Sequence, residues 1–522
     1  MMKMRKSTEN GHIIVEKQRS PIESSLHSLL MDWDFTEKRR SLIECRPVKR
    51  FFVEMLTRDI DLRDAIMDLL DNCIDGMMRK TLNDREAEKP YKGFKAKITF
   101  NEKSFGIWDN CGGIPKETAI KYAFRMGRPQ ERVSGVDGST IGMYGIGMKR
   151  AVFKMGKNVR ITTRCGDDGC YETKIDRKWL EDDGNWNLPI GDCTEKLDVD
   201  GTSIYISELY DGIKEMFSYE TGNFRDDLVN SIGIHYGTII GRGFEVYVNG
   251  EPVKPKMFNL RINKNRELEK EGLFPYIFEE KSDHMEISFI VGIAGPTPDY
   301  ENMEMESEKG FSFSNAGWTV VCNDRVVVQA DKSRVTGWGD ANPAFHYQFN
   351  SIVGVVEFKS KNPFELPITT TKKGIDTSSN IYLHIRKQMM IGLRTMVDYT
   401  NEWKNRKGEE KESVLKDTEI MSIEEIKTKI VEAIGEKNLW QERKDGEFAF
   451  KLYKPNLPKP ETVTPEDANI SFRKKKTDIE TVKNYLMDYK WLDENADRRK
   501  VGSKCFDYVI KSGRHREFRG KK

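Results

Sequence analysis

The sequence predicts an α+β protein that consists of several units. Stretches with helical periodicity and stretches with strand-like alternation follow one another up to about residue 400. The length of 522 residues corresponds to roughly three or four domains at about 150 residues each. With 37% apolar residues and 41 glycines, the composition is that of a globular chain. Lys and Arg number 86 against 84 for Asp and Glu, which favours neither a general nucleic-acid binder nor an acidic solvating protein.

The composition also bears on the compartment. No apolar run approaches the ~18 residues of a membrane span, and the basic N-terminus is not followed by the apolar stretch of a signal peptide. We therefore expect a cytoplasmic chain that makes no contact with a membrane. The 8 cysteines are too sparse for a disulfide scaffold and lack the spacing of a zinc site, so that ordinary reduced thiols are expected.

The first folded unit is expected at residues 46–212, after an N-terminal arm at 1–45. Its pattern runs from a helical stretch through two strands and a helix at Pro115 to a loop rich in Gly and Ser, a second helix and further strands. The predicted bounds, in that order, are 48–80 for the helical stretch, 95–100 and 104–108 for the two strands, 127–147 for the loop, 148–155 for the second helix and 158–207 for the further strands. This order predicts a helix-first α/β sandwich.

A second α+β region is expected at 213–400, and a more highly charged region follows it. The predicted elements of the second region are strands at 244–250, 318–322, 325–329 and 352–358 and a helix at 380–399. The region 401–522 is expected to be helical, with an extended linker at 454–465 that contains 4 prolines.

The first chemical motif is a set of four acceptor-rich side chains that share one helix face: Asp68, Asp71, Asn72 and Asp75. Such a face repels itself unless a cation lies over it. An amide beside carboxylates is a set of hard oxygen ligands that suits Mg²⁺ with waters and phosphates. A plain solvated helix face is the alternative.

The second motif is the strand and turn from Gly106 to Pro115, which carries Asp109 into a turn with Gly112 and Gly113. A carboxylate at the end of a buried strand can accept hydrogen bonds from an exocyclic amine. Glycines in the turn let a flat ligand approach the backbone. An ordinary turn with a helix cap is the alternative.

The third motif places Gly142, Gly145 and Gly147 directly before an amphipathic helix. Backbone N–H groups at a helix start form an anion cradle. Lys149 and Arg150 follow in the first turn, where the helix dipole disfavours cations, and a bound polyphosphate would explain both. Gly201 and Thr202, at the start of a strand, form a weaker fourth element.

In this order and spacing, the four motifs resemble the nucleotide-binding boxes of the GHKL ATPases, a group that includes DNA gyrase B, the heat-shock chaperone ATPase, histidine kinases, MutL and the Microrchidia (MORC) proteins. The resemblance covers roughly residues 48–210. It implies a Bergerat-fold ATP-binding domain, a transducer-like domain of the ribosomal S5 type after it, and ATP with Mg²⁺ as ligands. The nearest subtype is expected to be Hsp90-like or MORC-like.

The resemblance also implies a role for individual residues. Asp109 would bind the adenine amine, with Thr202 supporting that end. Asn72 would coordinate Mg²⁺, and Asp68 would be the general base. The remaining nucleotide contacts would come from Asp75 and Gly113 in the pocket wall and from the glycine box with its lysine: Gly142, Tyr144, Gly145, Ile146, Gly147 and Lys149. The second domain would supply Lys372 or Lys373 to the γ-phosphate.

Two residues depart from the family pattern. Asp68 stands where hydrolytic members usually have Glu, and the loss of one methylene suggests slow turnover, a closer backbone, or help from Asp71. Cys111 stands where the adenine box usually has Gly. A cysteine would be strained there if the position required a positive φ, unless the turn uses Gly112 and Gly113 instead.

The leading expectation is thus an ATPase whose nucleotide state drives homodimerisation or a signal to a protein partner. A DNA-acting clamp or topoisomerase-like subunit is an alternative, supported by the basic segments 473–476 and 511–522. A bacterial antiviral or genome-defence role is conceivable for such a chain. A histidine kinase is less favoured, since His12 and His27 are its upstream candidates for phosphorylation and His27 lacks an acidic or Arg-Pro continuation.

Overall fold

The computed structural model describes most of the chain in several ranges: 6–9, 12–15, 48–81, 88–125, 145–218, 223–296, 315–369, 371–446, 448–460 and 473–519. The described residues fall into two units, one within 1–460 and the other within 461–522. No described helix combines the length and the apolar character that crossing a membrane demands.

The strands of the described residues, in chain order, are β1 (Lys6–Glu9), β2 (His12–Val15), β3 (Lys95–Phe100), β4 (Ser104–Asp109), β5 (Gly156–Arg164), β6 (Cys170–Ile175), β7 (Ile190–Asp192), β8 (Gly201–Leu209), β9 (Glu245–Val248), β10 (Glu251–Pro252), β11 (Asn259–Asn263), β12 (Tyr276–Lys281), β13 (Met285–Ile293), β14 (Gly317–Cys322), β15 (Arg325–Asp331), β16 (Ile352–Ser360), β17 (Thr418–Ser422), β18 (Gln441–Asp445) and β19 (Phe448–Tyr453).

The α-helices of the same residues are α1 (Lys49–Arg58), α2 (Leu62–Lys80), α3 (Lys116–Thr118), α4 (Gly147–Met155), α5 (Arg177–Glu181), α6 (Asp211–Phe217), α7 (Phe224–His235), α8 (Gly237–Gly241), α9 (Asn380–Trp403), α10 (Gly408–Leu415), α11 (Ile423–Ile426), α12 (Glu432–Glu436), α13 (Lys476–Asp488) and α14 (Arg498–Arg519). A π-helical turn, Ala119–Ala123, continues α3, and another, Lys427–Val431, joins α11 to α12.

The first large sheet has the described-strand order β10-β9-β3-β4-β8-β5-β6-β7. Its neighbours pair antiparallel except β9, which runs parallel to β3. The apolar side of α2 packs on this sheet, so that Ile66, Leu70 and Ile74 share a core with Ile98 and Phe105. Because α2 contributes to this core along most of its length, its polar residues are directed to the sides of the helix, where the site is built.

The second large sheet has the described-strand order β15-β14-β16-β13-β12-β19-β18. Helix α9 covers one face, where Met389 and Leu393 meet Phe289 and Trp318. The other face packs against α11 and α12 through a separate cluster that includes Ile426 and the β11–β17 pair. The sheet is therefore buried on two sides over much of its area, which gives its loops a rigid support.

The second unit of the described chain contains α13 and α14, which pack on each other. Leu486 and Val501 are its buried apolar residues, and Trp491 contacts Tyr508 edge to face. The helical character expected of the region 401–522 is therefore found in this part of it.

The predicted α+β class is confirmed, and β3 and β4 lie where the sequence placed them. The helical stretch at 48–80 consists of two helices, since the Asp61 side chain caps α2 by accepting the Asp64 N–H at 2.9 Å. The expectation that 401–522 is helical apart from the linker at 454–465 is wrong for part of this region. Residues 418–453 contain β17, β18 and β19, because Phe450 and Leu452 alternate into the core of the second sheet.

The expected boundary at residue 212 does not coincide with the end of the first sheet. Strands β9 and β10 come after that residue, yet they complete the sheet next to β3. The division into an arm, an ATP-binding domain, a transducer-like domain and a C-terminal region stays a prediction. The predictions for most of the arm and for the loop at 127–147 fall largely outside the described residues.

Lys49 anchors α1 to the loop that follows α5. Its side chain is fully buried, and its ammonium group donates to the carbonyls of Trp179, Asp182 and Asn185 at 2.5–2.6 Å. The same nitrogen lies 3.9 Å from the centroid of the Trp179 ring. Three carbonyls and an aromatic face together replace the water that the ammonium group loses on burial.

We predict that Lys49→Met lowers the free energy of unfolding by about 2–4 kcal/mol, because three carbonyls lose a charged donor while the volume is conserved. Urea denaturation followed by fluorescence measures this change. Arg50→Met is the matched control: its side chain is 82% exposed and pairs with Glu54 in solvent, so we expect a change within about 0.5 kcal/mol. Equal effects of the two substitutions would contradict the anchor.

Candidate functional site

A cavity of about 350 Å³ opens beside α2, between the turn after β4 and the start of α4. Its described lining brings together Asp68, Asn72 and Asp75 from α2, Asp109 and Gly113 from the turn, Gly145, Ile146, Gly147 and Lys149 from the start of α4, Thr202 from β8, and Lys372 from the loop before α9. The volume lies in the range of small-molecule sites. Gly142 and Tyr144, which the sequence also assigned to the site, lie outside the described residues.

Asp109 forms one end of the cavity. It is the last residue of β4, and its side chain is buried. Its Oδ1 accepts the N–H of Cys111 at 2.8 Å. Burial raises the pKa of the Asp109 carboxyl, although hydrogen bonds from Cys111, Cys73 and the Thr202 backbone oppose that rise. A buried acceptor held this way is suited to a neutral donor such as an amino group.

The turn after Asp109 resolves the question that Cys111 raised. Positive φ angles occur at Gly112 and Gly113, at 103° and 68°, whereas Cys111 does not have one. A Cβ atom on Gly113 would lie 1.9 Å from the Arg164 carbonyl oxygen. The turn thus uses its two glycines for the unusual backbone, and Cys111 is accommodated as a buried side chain facing the cavity.

The start of α4 forms the other end of the cavity. The helix begins at Gly147, and within the described residues the side chain of Ile146 does not cap its first N–H groups. Lys149 lies buried in the first turn and donates to the Gly145 carbonyl. A helix start whose N-cap side chain makes no capping bond, with a lysine beside it, suits anionic oxygens; the anion cradle of the glycine motif stays a prediction.

Lys372 reaches this end of the cavity from a loop that lies 301 residues beyond Asp71 in the chain. Its Nζ is 2.6 Å from Asp71 Oδ2 and 3.4 Å from Asp68 Oδ1, and it lines the cavity. Lys373 points away, toward the start of α2, where its Nζ is 2.7 Å from Asp61 Oδ2. Of the two lysines that the sequence left open, Lys372 is therefore the one beside the cavity.

Asp71 belongs to a buried ion cluster and not to the cavity lining, which corrects the prediction of four acceptors on one open face. Its carboxylate is fully buried, with Arg325 Nε at 3.1 Å, Lys372 Nζ at 2.6 Å and the Tyr236 hydroxyl donating at 2.7 Å. Adjacent helix residues are about 100° apart around the axis, so Asp71 faces the second sheet while Asn72 faces the cavity. Asp71 therefore cannot assist Asp68 in the cavity.

Arg150 also differs from its predicted role. Its Nη2 is 2.5 Å from Asp68 Oδ2, so that a carboxylate accounts for this cation, in place of the polyphosphate expected from the sequence. Sequence reasoning missed this pair, and it missed Arg325 and Tyr236 as well. These residues stand in stretches without a motif, and a hydrophobic or charge pattern alone does not indicate their long-range contact with α2.

The protein donors beside the cavity suit a divalent cation that keeps most of its ligands outside the protein. The described residues contain no cluster of three or more His, Cys, Asp or Glu side chains that could hold a metal ion by themselves. Asn72 offers an exposed amide oxygen in the cavity, one turn from Asp75. One amide ligand suits Mg²⁺ that is held mainly by water and by the phosphates of a nucleotide.

Comparison with known families agrees with this geometry. Residues 60–202 match the family model described as histidine kinase-, DNA gyrase B-, and HSP90-like ATPase. The matched segment extends from just before α2 to the start of β8 and thus contains both ends of the cavity apart from Lys372. A search among curated proteins gave no significant match.

The ion cluster around Asp71 predicts a pH-dependent contribution to stability. Burial alone would raise the pKa of the Asp71 carboxyl, but the charges of Arg325 and Lys372 and the hydrogen bonds from Lys372 and Tyr236 hold this pKa below its usual value. A lowered native pKa stabilises the fold above the unfolded pKa of about 4, and the stabilisation is lost as the pH falls.

We predict that Asp71→Asn lowers the free energy of unfolding by about 3–5 kcal/mol at pH 7, because Arg325 loses its buried partner. The difference in the free energy of unfolding between Asp71→Asn and wild type should become smaller as the pH falls below about 4. Denaturation at a series of pH values measures both effects. Asp167→Asn, at an exposed hairpin position, is the control and should change little. A pH-independent difference would contradict the assignment.

Proposed function

Since residues 60–202 belong to the GHKL ATPase superfamily, we propose that this chain binds Mg²⁺-ATP in the cavity beside α2, hydrolyses it, and uses the nucleotide state to change its conformation or to dimerise. The observation that carries the proposal is the arrangement of the cavity: a buried acceptor, Asp109, at one end and the start of α4 with Lys149 and Lys372 at the other.

At the first end, Asp109 would accept a hydrogen bond from the adenine amine. Thr202 lies beside it, and its hydroxyl is 3.2 Å from that of Thr163, which in turn donates to the Gly201 carbonyl at 3.1 Å. This chain of contacts holds the polar group of Thr202 at the adenine end. Gly113 and Asp75 would complete the wall of the pocket on the two sides of the base.

At the second end, the N–H groups of α4 and the ammonium of Lys149 would hold the β- and γ-phosphates. Asn72 would ligate Mg²⁺, which supplies charge neutralisation to the phosphates when bound. Gly145, Ile146 and Gly147 line this end, and Gly142 and Tyr144 are assigned to it by family resemblance. Mg²⁺ coordination by Asn72 accounts for an exposed amide in an otherwise charged region.

Asp68 is proposed as the general base that orients the attacking water. It lies at the phosphate end of the cavity, with only 3% of its surface exposed. A Cβ atom on Gly147 would be 3.3 Å from Asp68 Cγ, which shows how closely the start of α4 approaches the carboxylate. That approach supports the closer-backbone explanation for an Asp at a position where Glu is usual.

Lys372 supplies the proposed link between nucleotide and conformation. In the described state it is bound to Asp71 and lies near Asp68. A γ-phosphate would compete with these carboxylates for the ammonium, so that ATP and ADP would hold the loop before α9 differently. Nucleotide-dependent homodimerisation, an Hsp90-like or MORC-like cycle and a protein partner are further parts of this proposal.

A DNA-acting clamp is the second candidate function, favoured by the charge of the second unit. The segment 473–476 and the first residues of α14, Arg498, Arg499 and Lys500, present exposed cations. Phosphate contacts from such side chains would make affinity fall steeply between ~50 and ~200 mM salt. A bacterial defence role stays part of this alternative.

The first prediction of this section concerns turnover. Wild type should hydrolyse ATP, Asp68→Ala should bind ATP but lose about 10²-fold or more of kcat, and Asn72→Ala should lose Mg²⁺-dependent affinity. The measurements are phosphate release and nucleotide binding, with and without duplex DNA at ~50 and ~200 mM salt. The molecular mass of the protein in solution is followed with a non-hydrolysable ATP analogue. Nucleotide binding by the wild type without turnover would contradict hydrolysis. Transfer of radiolabelled phosphate from ATP to the wild-type protein, with no transfer to His27→Ala, would indicate a kinase.

The second prediction concerns the two adjacent lysines. Lys372→Met should weaken ATP binding about tenfold or more and ADP binding much less, because its ammonium is proposed to contact the γ-phosphate. Lys373→Met, which removes a half-exposed lysine directed at Asp61 and Asp64, should change either affinity less than about twofold. Equal losses for ATP and ADP in Lys372→Met would contradict the proposed contact.

A further inference from the structure

The short side chain of Asp68 is held in place by a cation from the opposite wall of the cavity. Arg150 extends from the first turn of α4, and its Nη2 meets Asp68 Oδ2 at 2.5 Å. The two side chains are only 12% and 4% exposed. A guanidinium–carboxylate pair of this burial is firmly oriented, since neither partner can exchange the other for water without cost.

The surroundings leave Asp68 little freedom. Gly147 packs against the Asp68 carboxyl from one side, because a Cβ atom added to Gly147 would lie only 3.3 Å from Asp68 Cγ. The second carboxyl oxygen, Oδ1, has Lys372 Nζ at 3.4 Å. Arg150 is fixed in turn by its place on α4, whose backbone bond from Arg150 N–H to the Ile146 carbonyl is 2.9 Å.

We propose that Arg150 is a positioning residue for Asp68 in ATP hydrolysis. Its guanidinium fixes the carboxylate at the phosphate end of the cavity and so provides the placement that the longer Glu would provide by its own reach. This inference rests on the proposed ATPase function and deepens it. Because a misplacement of ~1 Å can cost about 10²-fold in rate, a short base needs a partner that fixes its position.

A competing role for Arg150 is direct binding of phosphate. Its Nε is buried and has no hydrogen-bond acceptor among the described residues, so this nitrogen could reach a ligand oxygen. The two roles give different kinetics. Loss of a phosphate ligand raises the dissociation constant of ATP, whereas loss of a positioning contact lowers kcat and leaves nucleotide binding nearly unchanged.

The test compares Arg150→Gln, Arg150→Lys and wild type by ATP affinity and by kcat. We expect Arg150→Gln to lose about 10–10²-fold in kcat and less than about threefold in affinity, and Arg150→Lys to recover part of kcat because it restores the charge. Retained nucleotide binding shows that each variant is folded. A large loss of affinity with unchanged kcat, or no change in either, would overturn the proposal.

A double variant separates positioning of Asp68 from any independent effect. In the Asp68→Ala background, Arg150→Gln should cause no further loss of kcat, since the group that it positions is already absent. An additive further loss would overturn the inference. Lys154→Gln is the matched control on the same helix, because its ammonium donates to the Thr57 carbonyl at 2.9 Å, outside the cavity lining.

The same measurements distinguish failure of the ATPase proposal from failure of the role of Arg150. Wild type without turnover removes the ATPase proposal and the role of Arg150 together. Wild-type turnover that survives intact in Arg150→Gln removes the role of Arg150 alone and leaves the ATPase proposal standing.

Discussion

The buried ion cluster around Asp71 is the constraint on which the site depends. One carboxylate without solvent contact forms an ion pair with Arg325 and accepts hydrogen bonds from Lys372 and Tyr236, three residues that come from different elements after residue 212. Desolvating these groups is costly, and only their mutual contacts offset that cost. The cluster therefore fixes α2 relative to β15, to the end of α7 and to the loop before α9. Because α2 is fixed in this way, the position of every cavity residue on α2 depends on the cluster.

The parts of the fold and site that follow from local spacing could be predicted from the sequence. Strands β3 and β4, the glycine turn after Asp109 and the helix start at Gly147 each depend on contiguous residues. Asp71 was wrongly predicted to lie on the open face of α2, because helical periodicity defines a broad helix face but not which other element packs against the edge of that face. The strands after residue 401 were missed because high local charge masked a short apolar alternation. The contacts of Arg150 and Arg325 depend on tertiary packing over 80 to 250 residues, which has no local pattern.

Charge balance at the α4 end of the cavity is compatible with the proposed polyphosphate lying beside carboxylates. Asp68 and Asp71 face three cations, Arg150, Arg325 and Lys372, so the described cluster carries one positive charge in excess. Lys149, in the first turn of α4, adds another. A region with this balance repels free anions less than two bare carboxylates would. The acids are thus compatible with the anion cradle because the second sheet and α4 supply their partners.

The pairing of β9 with β3 has a consequence for the modularity of this chain. The segment that resembles other ATPases ends at residue 202, but the parallel neighbour that covers the edge of β3 comes from Glu245–Val248. A cut between these points would leave the backbone donors and acceptors on the β9 side of β3 facing water or another chain. The nucleotide-binding part is thus not a transferable cassette. A transplanted segment would need Glu245–Val248 with it to keep the edge of β3 paired.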